Sequence, residues 1–152
     1  VRITRELMSR IKRTRAVALM TNRECNHHDL KGVLARISLL FGMRLHAMIL
    51  ASSGYTPIVG LAYQPKCEYY FRTLGLERYI MRFPDFSEEA LVEHILCGWE
   101  NRTAIRFQLE QQVPLLQNEA GRASQLVAAL HQEQPLDPLL AAFRTQSQPG
   151  SH

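Results

Sequence analysis

The chain has 152 residues, 46% of them hydrophobic and 21% charged, a composition of one globular domain that excludes a disordered or collagen-like chain. A chain this long buries roughly two thirds of its unfolded surface, so it needs no disulfide or metal staples to fold. The net charge of +4 is unevenly spread: residues 1–36 carry nine Lys/Arg against three Asp/Glu (+6), and the remainder nine against eleven (−2).

Residues 2–13 predict an amphipathic helix, with Ile3, Leu7 and Ile11 at four-residue spacing and Arg2, Arg5, Arg10 and Arg13 elsewhere on the wheel. Such a basic face is either plainly solvated or suited to an anion: nucleic acid, anionic lipid or a phosphorylated substrate. No RNA-binding signature or zinc-finger spacing accompanies it, so nucleic acid is not an expected partner. Ala16–Met20 (AVALM) reads as a short buried parallel strand. Thr21–His28 reads as a polar loop. There Cys25, His27, His28 and Asp29 invite a metal, but adjacent histidines diverge on any regular element and no fourth ligand has the usual spacing, so no metal is expected. Cys25, Cys67 and Cys97 form no C-x-x-C pair and read as reduced thiols. Asp29 is expected to N-cap a helix through Arg36, with Leu30, Val33, Leu34 and Ile37 inward. Ser38–Met43 reads as a second strand, Leu45–Ser53 as a helix stopped by Gly54, and Pro57–Ala62 as a third strand. Lys66–Leu74 reads as a helix with Gly75 in the C′ position, and Tyr79–Phe83 as a fourth strand.

This alternation predicts an α/β fold: a Rossmann-like, three-layer parallel sheet with a helical C-terminal region. Loops after the strands would gather at the carboxyl edge, where open α/β sheets bind ligands. Ser87 is a good N-cap, with Glu88 and Glu89 favoured by the helix dipole. Leu91, Ile95 and Trp99 follow at four-residue spacing. Pro114 is expected to divide this region from a further helix over Leu115–Leu130. The expected division is one donor-binding domain over residues 1–134, helical from about residue 87, and a tail over 135–152 that is disordered at its end. No apolar run approaches the roughly 20 residues needed to span a bilayer. No signal-peptide pattern is present. A cytoplasmic location is expected, with the basic helix suited to peripheral contact at the inner membrane face. The chain opens on Val1 rather than Met, and a further upstream part is expected.

The most informative segment is Leu40–Lys66 (LFGMRLHAMILASSGYTPIVGLAYQPK). A buried strand runs into Gly42, and Arg44 and His46 start the next helix. A helix N-terminus presents unsatisfied N–H groups and partial positive charge. A guanidinium there makes a site for carboxylate or phosphate, which Arg grips bidentately. A histidine two residues on exchanges a proton near neutral pH. The next strand ends at Ala62, and Tyr63-Gln64-Pro65-Lys66 brings a second cation to the same edge. The plain alternatives are an arginine paired with a structural carboxylate and a histidine packed in a helical turn. Lys66 opposes the dipole of the helix it starts, which directs it to a ligand. Spacing alone reaches an anion-binding α/β domain.

Gly42-Met43-Arg44-Leu45-His46-Ala47, then Gly54-Tyr55-Thr56-Pro57, Tyr63-Gln64-Pro65-Lys66-Cys67 and Leu74-Gly75-Leu76 resemble the polysaccharide pyruvyl transferase family, in its CsaB-like cell-wall branch. The likeness covers about residues 15–110. Gln64 stands where the family carries Asp, and one extra residue separates Gly54 from Pro57. The resemblance implies the C-terminal, donor-binding half of a glycosyltransferase-B-type fold, whose other half lies outside this sequence. It implies an enzyme that transfers the pyruvyl group of phosphoenolpyruvate onto a saccharide or lipid-linked saccharide as a ketal, with phosphoenolpyruvate as co-substrate and no cofactor or metal. Arg44, Leu45, His46 and Lys66 would bind phosphoenolpyruvate, and Arg44 and His46 would be catalytic, His46 as general acid/base. Two other readings stand beside it: a glycosyltransferase-B-type domain that binds a nucleotide-sugar, and a truncated, non-catalytic binding module.

Overall fold

The structure, a computed structural model, describes residues 2–12, 17–20, 26–133 and 135–146. Short apolar runs followed by helices become a mixed α/β arrangement around one parallel sheet. In chain order the elements are α1 (Arg2–Arg10), α2 (His27–Leu34), β1 (Leu40–Gly42), α3 (Leu45–Ser52), β2 (Ile58–Ala62), α4 (Pro65–Thr73), β3 (Ile80–Arg82), α5 (Glu88–Glu100), α6 (Arg102–His131) and α7 (Asp137–Gln146). Single 3₁₀ turns lie at Glu77–Tyr79 and Phe83–Asp85.

The sheet order is β1-β2-β3, parallel throughout, with Gly42 beside Gly60 and Gly60 beside Ile80. Every residue of β2 is buried. A strand flanked on both sides and covered on both faces must be apolar throughout, and Ile-Val-Gly-Leu-Ala is. Two successive crossovers step the same way across the sheet, so α3 and α4 lie together on one face. On that face a Cβ at Gly60 would stand 3.1 Å from the Phe71 ring of α4, and one at Gly42 would stand 3.4 Å from Met48 of α3. The opposite face presents Val59, which packs against Gly98 of α5. The result is three layers. The buried cluster joins Met48, Ala51, Ile58, Ala62, Cys67 and Phe71 to Leu74, Leu76, Ile105, Leu109 and Val113.

Local chemistry explains the element ends. Helix α4 closes in a Schellman motif, with the Leu76 N–H donating to the Phe71 carbonyl (2.9 Å), the Gly75 N–H to Arg72 (3.0 Å), and Gly75 at φ +66°. Helix α3 ends just before Gly54, as expected, and closes the same way, with Tyr55 (φ +61°) as the left-handed residue. Gly54 serves close approach instead: its Cβ would stand 3.0 Å from the Cβ of Ala35.

Three expectations are corrected. The AVALM run forms no strand: residues 17–20 are irregular and alternate between half-buried and exposed, and Ala16 lies outside the described residues. An apolar run satisfies its backbone as a strand only where a neighbour accepts it, and among the described residues 17–20 join no ladder. The N-cap of α2 is Asn26, not Asp29. Asn26 Oδ1 accepts from the amides of His28 (2.8 Å) and Asp29 (3.1 Å), and Asp29 Oδ2 accepts from the Asn26 N–H (3.0 Å), a capping box that draws His27 and His28 into the helix. Pro114 divides nothing: α6 runs through it for 30 residues. Ile105, Leu109 and Val113, all buried, lead up to the proline at four-residue spacing, and half-buried Leu116 packs against the same cluster just beyond it; this packing outweighs the one backbone bond that proline removes. The break falls at Asn101, whose side-chain amide donates to the Cys97 carbonyl (2.8 Å). The tail holds α7, and its last residues, 147–152, where disorder is expected, lie outside the described residues.

A Cβ at Gly98 would collide with Cγ2 of Val59. In a free helix Gly→Ala adds about 1 kcal/mol of stability. Here overpacking is expected to reverse the sign: Gly98→Ala should lower urea stability by about 1–3 kcal/mol. Val59→Ala should lessen that penalty in a double-mutant cycle. A stabilised Gly98→Ala variant would refute the packing.

Candidate functional site

Residues Arg44 and Gln64 occupy equivalent places, each the N-cap of the helix that follows its strand. Both are extended, and neither side chain caps its helix. In contrast, Asn26 caps α2, and Ser87 Oγ accepts from the Ala90 amide (3.1 Å) at the start of α5. Among the described residues, the amides of Leu45 and His46 in α3 and of Lys66 in α4 have no hydrogen-bond partner. Two helix N-termini with free N–H groups therefore open at the carboxyl edge of neighbouring parallel strands.

Two contacts join α3 to α4, the first of them at these ends. Sγ of Cys67, on α4, lies 4.0 Å from the Met43 carbonyl oxygen that precedes Arg44. Farther from the edge, Ser52 Oγ and the Tyr70 hydroxyl are 2.6 Å apart, tying the C-terminal end of α3 to the middle of α4. Ser52 also donates to the Met48 carbonyl (2.8 Å), so this buried hydroxyl is satisfied.

Arg44, His46 and Lys66 are exposed. Among the described residues their side chains hold no hydrogen bond or ion pair. An arginine with no structural carboxylate and a histidine outside the core leave cationic and proton-transfer capacity free at this edge. Leu45 is half-buried against the core cluster, so it anchors the helix start. Gln64 and Lys66 are exposed beside Tyr63. Among the described residues no group of three His, Cys, Asp or Glu could hold a metal ion. The Asp29 carboxylate is engaged in its capping box, and Cys25 lies outside the described residues. No helix among them is long and apolar enough to cross a membrane.

Sequence spacing did not reveal a second feature. A groove of about 310 Å³ lies between α4 and β3, lined by Glu68, Arg72, Glu77, Ile80, Met81, Arg82 and Asp85. Arg82 Nε donates to Asp85 Oδ2 (2.9 Å). In the same turn the rings of Phe83 and Phe86 stack 6.1 Å apart at 10°. The one sequence signal was the string Phe83-Pro84-Asp85-Phe86 after an apolar run, since proline starts the tight turn that sets those side chains.

Comparison with models of protein families, with curated proteins and with solved structures finds no match.

Burial pushes the Cys67 thiol above its ordinary value, with Lys66 partly offsetting it. Burial likewise raises the Tyr70 hydroxyl, against the lowering effect of its bond with Ser52. The folded state thus holds both protons more tightly than the unfolded state. That stability is complete below the unfolded values and is lost as pH rises through the folded ones. Urea midpoints should therefore fall from about pH 8.5 upward. Tyr70→Phe should remove the tyrosine's share of the slope above about pH 10; an unchanged slope in that variant would refute its part.

Proposed function

We propose that this chain is the donor-binding half of a polysaccharide pyruvyl transferase, with a glycosyltransferase-B-type partner half, and that its sheet edge holds phosphoenolpyruvate. The observation that carries the reading is the pair of uncapped helix N-termini on neighbouring strands, flanked by exposed Arg44, His46 and Lys66. Free N–H groups at two helix ends plus two cations make a strong anion site. Phosphoenolpyruvate carries two anionic groups, a carboxylate and a phosphate, that need separate partners.

In this reading Arg44 grips one anionic group bidentately and Lys66 approaches the other as a point charge. His46 delivers a proton to the methylene carbon, which becomes a methyl group, and C2 acquires oxocarbenium character. A saccharide hydroxyl adds to C2 and returns its proton to His46. The C2–O bond to phosphate then breaks, and cationic groups stabilise the departing phosphate. A second hydroxyl of the same sugar closes the ketal, and its proton leaves with the phosphate. Gln64, in place of a carboxylate, leaves the charge of Lys66 uncompensated and keeps a hydrogen-bonding group beside it.

Calorimetric titration of phosphoenolpyruvate into the chain should give saturable binding that Arg44→Ala weakens about 10- to 100-fold. Equal binding by both proteins would remove the role of Arg44. Tighter binding of a uridine nucleotide would favour a nucleotide-sugar domain instead. His46→Ala should leave phosphoenolpyruvate binding within a few-fold. In the assembled two-half enzyme it should lower turnover by about 10²- to 10⁴-fold. Undiminished turnover would exclude His46 as the proton donor.

A further inference from the structure

The groove beside β3 lies outside the anion site. It runs from Glu77 and Ile80, where β3 begins, to Glu68, Arg82 and Asp85 at the carboxyl edge. Glu68 stands two residues beyond Lys66 in the first turn of α4. One end of the groove therefore reaches the carboxyl edge, in the same helical turn as Lys66. Among the described residues β3 pairs with β2 alone, so the far side of the groove is open.

Its chemistry is selective. Three carboxylates alternate with two guanidiniums over a volume of about 310 Å³, at the lower end of small-molecule sites. Among the described residues, the side chains of Glu68, Arg72 and Glu77 have no hydrogen bond or ion pair, and only those of Arg82 and Asp85 are joined. Free acceptors and free donors thus face one small space. An anion would meet three carboxylates and a cation two guanidiniums, each at a desolvation and repulsion cost. A neutral ligand rich in hydroxyls pairs with both, because each hydroxyl donates to a carboxylate and accepts from a guanidinium. The adjoining turn adds an apolar surface: Phe83 is 55% exposed and Phe86 43% exposed, with their rings stacked. A sugar ring has a C–H face to lay on such rings and a rim of hydroxyls to place among the charges.

We propose that this groove is a hexose subsite, holding one neutral pyranose ring of the acceptor saccharide. Its assignment to the acceptor rests on the transferase reading above, whereas its affinity for a sugar rests on the groove alone. The position fits the role, because a ring held between α4 and β3 has its hydroxyls next to the edge that carries Arg44 and Lys66.

The test is amide chemical-shift titration of the full chain with methyl β-glucoside and methyl α-mannoside, with glucuronate and glucosamine as charged comparisons. At least one neutral hexoside should shift the amides of Arg72, Glu77, Met81 and Arg82, and should bind more tightly than its charged counterparts. Glu77→Gln and Phe86→Ala, both at exposed positions, should each weaken binding about tenfold while leaving the urea midpoint unchanged. Either result overturns the proposal: no shift in the groove with any neutral hexoside, or shifts that neither variant diminishes. Preferred binding of glucuronate or glucosamine overturns it too, since it contradicts the charge argument. Phosphoenolpyruvate titrated into the same sample reads Arg44, His46 and Lys66 separately. Hexoside binding without phosphoenolpyruvate binding defeats the acceptor assignment and supports the sugar site. Phosphoenolpyruvate binding without hexoside binding defeats the groove alone.

Discussion

Strand β2 is gripped between two helices, and a glycine sets the approach on each side. Gly60 belongs to the strand and admits the Phe71 ring of α4; Gly98 belongs to α5 and admits Val59. Neither contact tolerates a Cβ without displacement of a ring or a branched side chain. Burying a ring such as Phe71 contributes about 1.5–3 kcal/mol, and that gain depends on close packing at the strand. The depth at which α4 sits on the sheet follows from this contact. So does the position of its N-terminus, with two residues between it and the end of β2.

The edge chemistry is a consequence of that packing. Cys67 is fully buried, one residue from the exposed Lys66, and its sulfur reaches toward the Met43 carbonyl next to Arg44. A single buried residue thus brings the starts of α3 and α4 side by side. Asn26 and Ser87 cap α2 and α5 with side-chain oxygens, as free-standing helix ends require. Arg44 and Gln64 do not, so α3 and α4 keep unsatisfied donors where strand ends converge. A polar residue that fails to cap costs stability. Two such failures at one edge are what a site for an external anion would show, since the ligand supplies the missing acceptors.

The C-terminal helices complete the core from outside the sheet. Gln108 Nε2 donates to the Leu74 carbonyl (3.1 Å), and Ile105, Leu109 and Val113 join the cluster around Phe71 and Leu74. This fastens α6 against the C-terminal end of α4, away from the edge that carries Arg44 and Lys66. Proline in a helix interior costs about 3 kcal/mol. Buried Val113 before Pro114 and half-buried Leu116 after it pack on one cluster, which keeps the chain around the proline helical despite that cost.

The strand–helix rhythm from Ser38 to Leu74, the cap at Ser87 and the turn at Gly75 were legible in the sequence, because each depends on local chemistry: apolar runs, a hydroxyl acceptor, a left-handed residue. The amino acids also placed Arg44, His46 and Lys66 at helix starts, since helix boundaries after short strands are local events. Tertiary structure decided the rest. Whether AVALM pairs with a strand depends on a neighbouring edge, which the run does not contain. Whether Pro114 ends a helix depends on what lies beneath Val113, and whether Leu45 faces ligand or core depends on where α3 docks. The groove of Glu68, Arg72, Glu77, Arg82 and Asp85 draws its charges from two elements and the turns beside them, so no sequence window contains it. Local interactions set the elements of this protein, and the two glycine-gated contacts on β2 decided what those elements face.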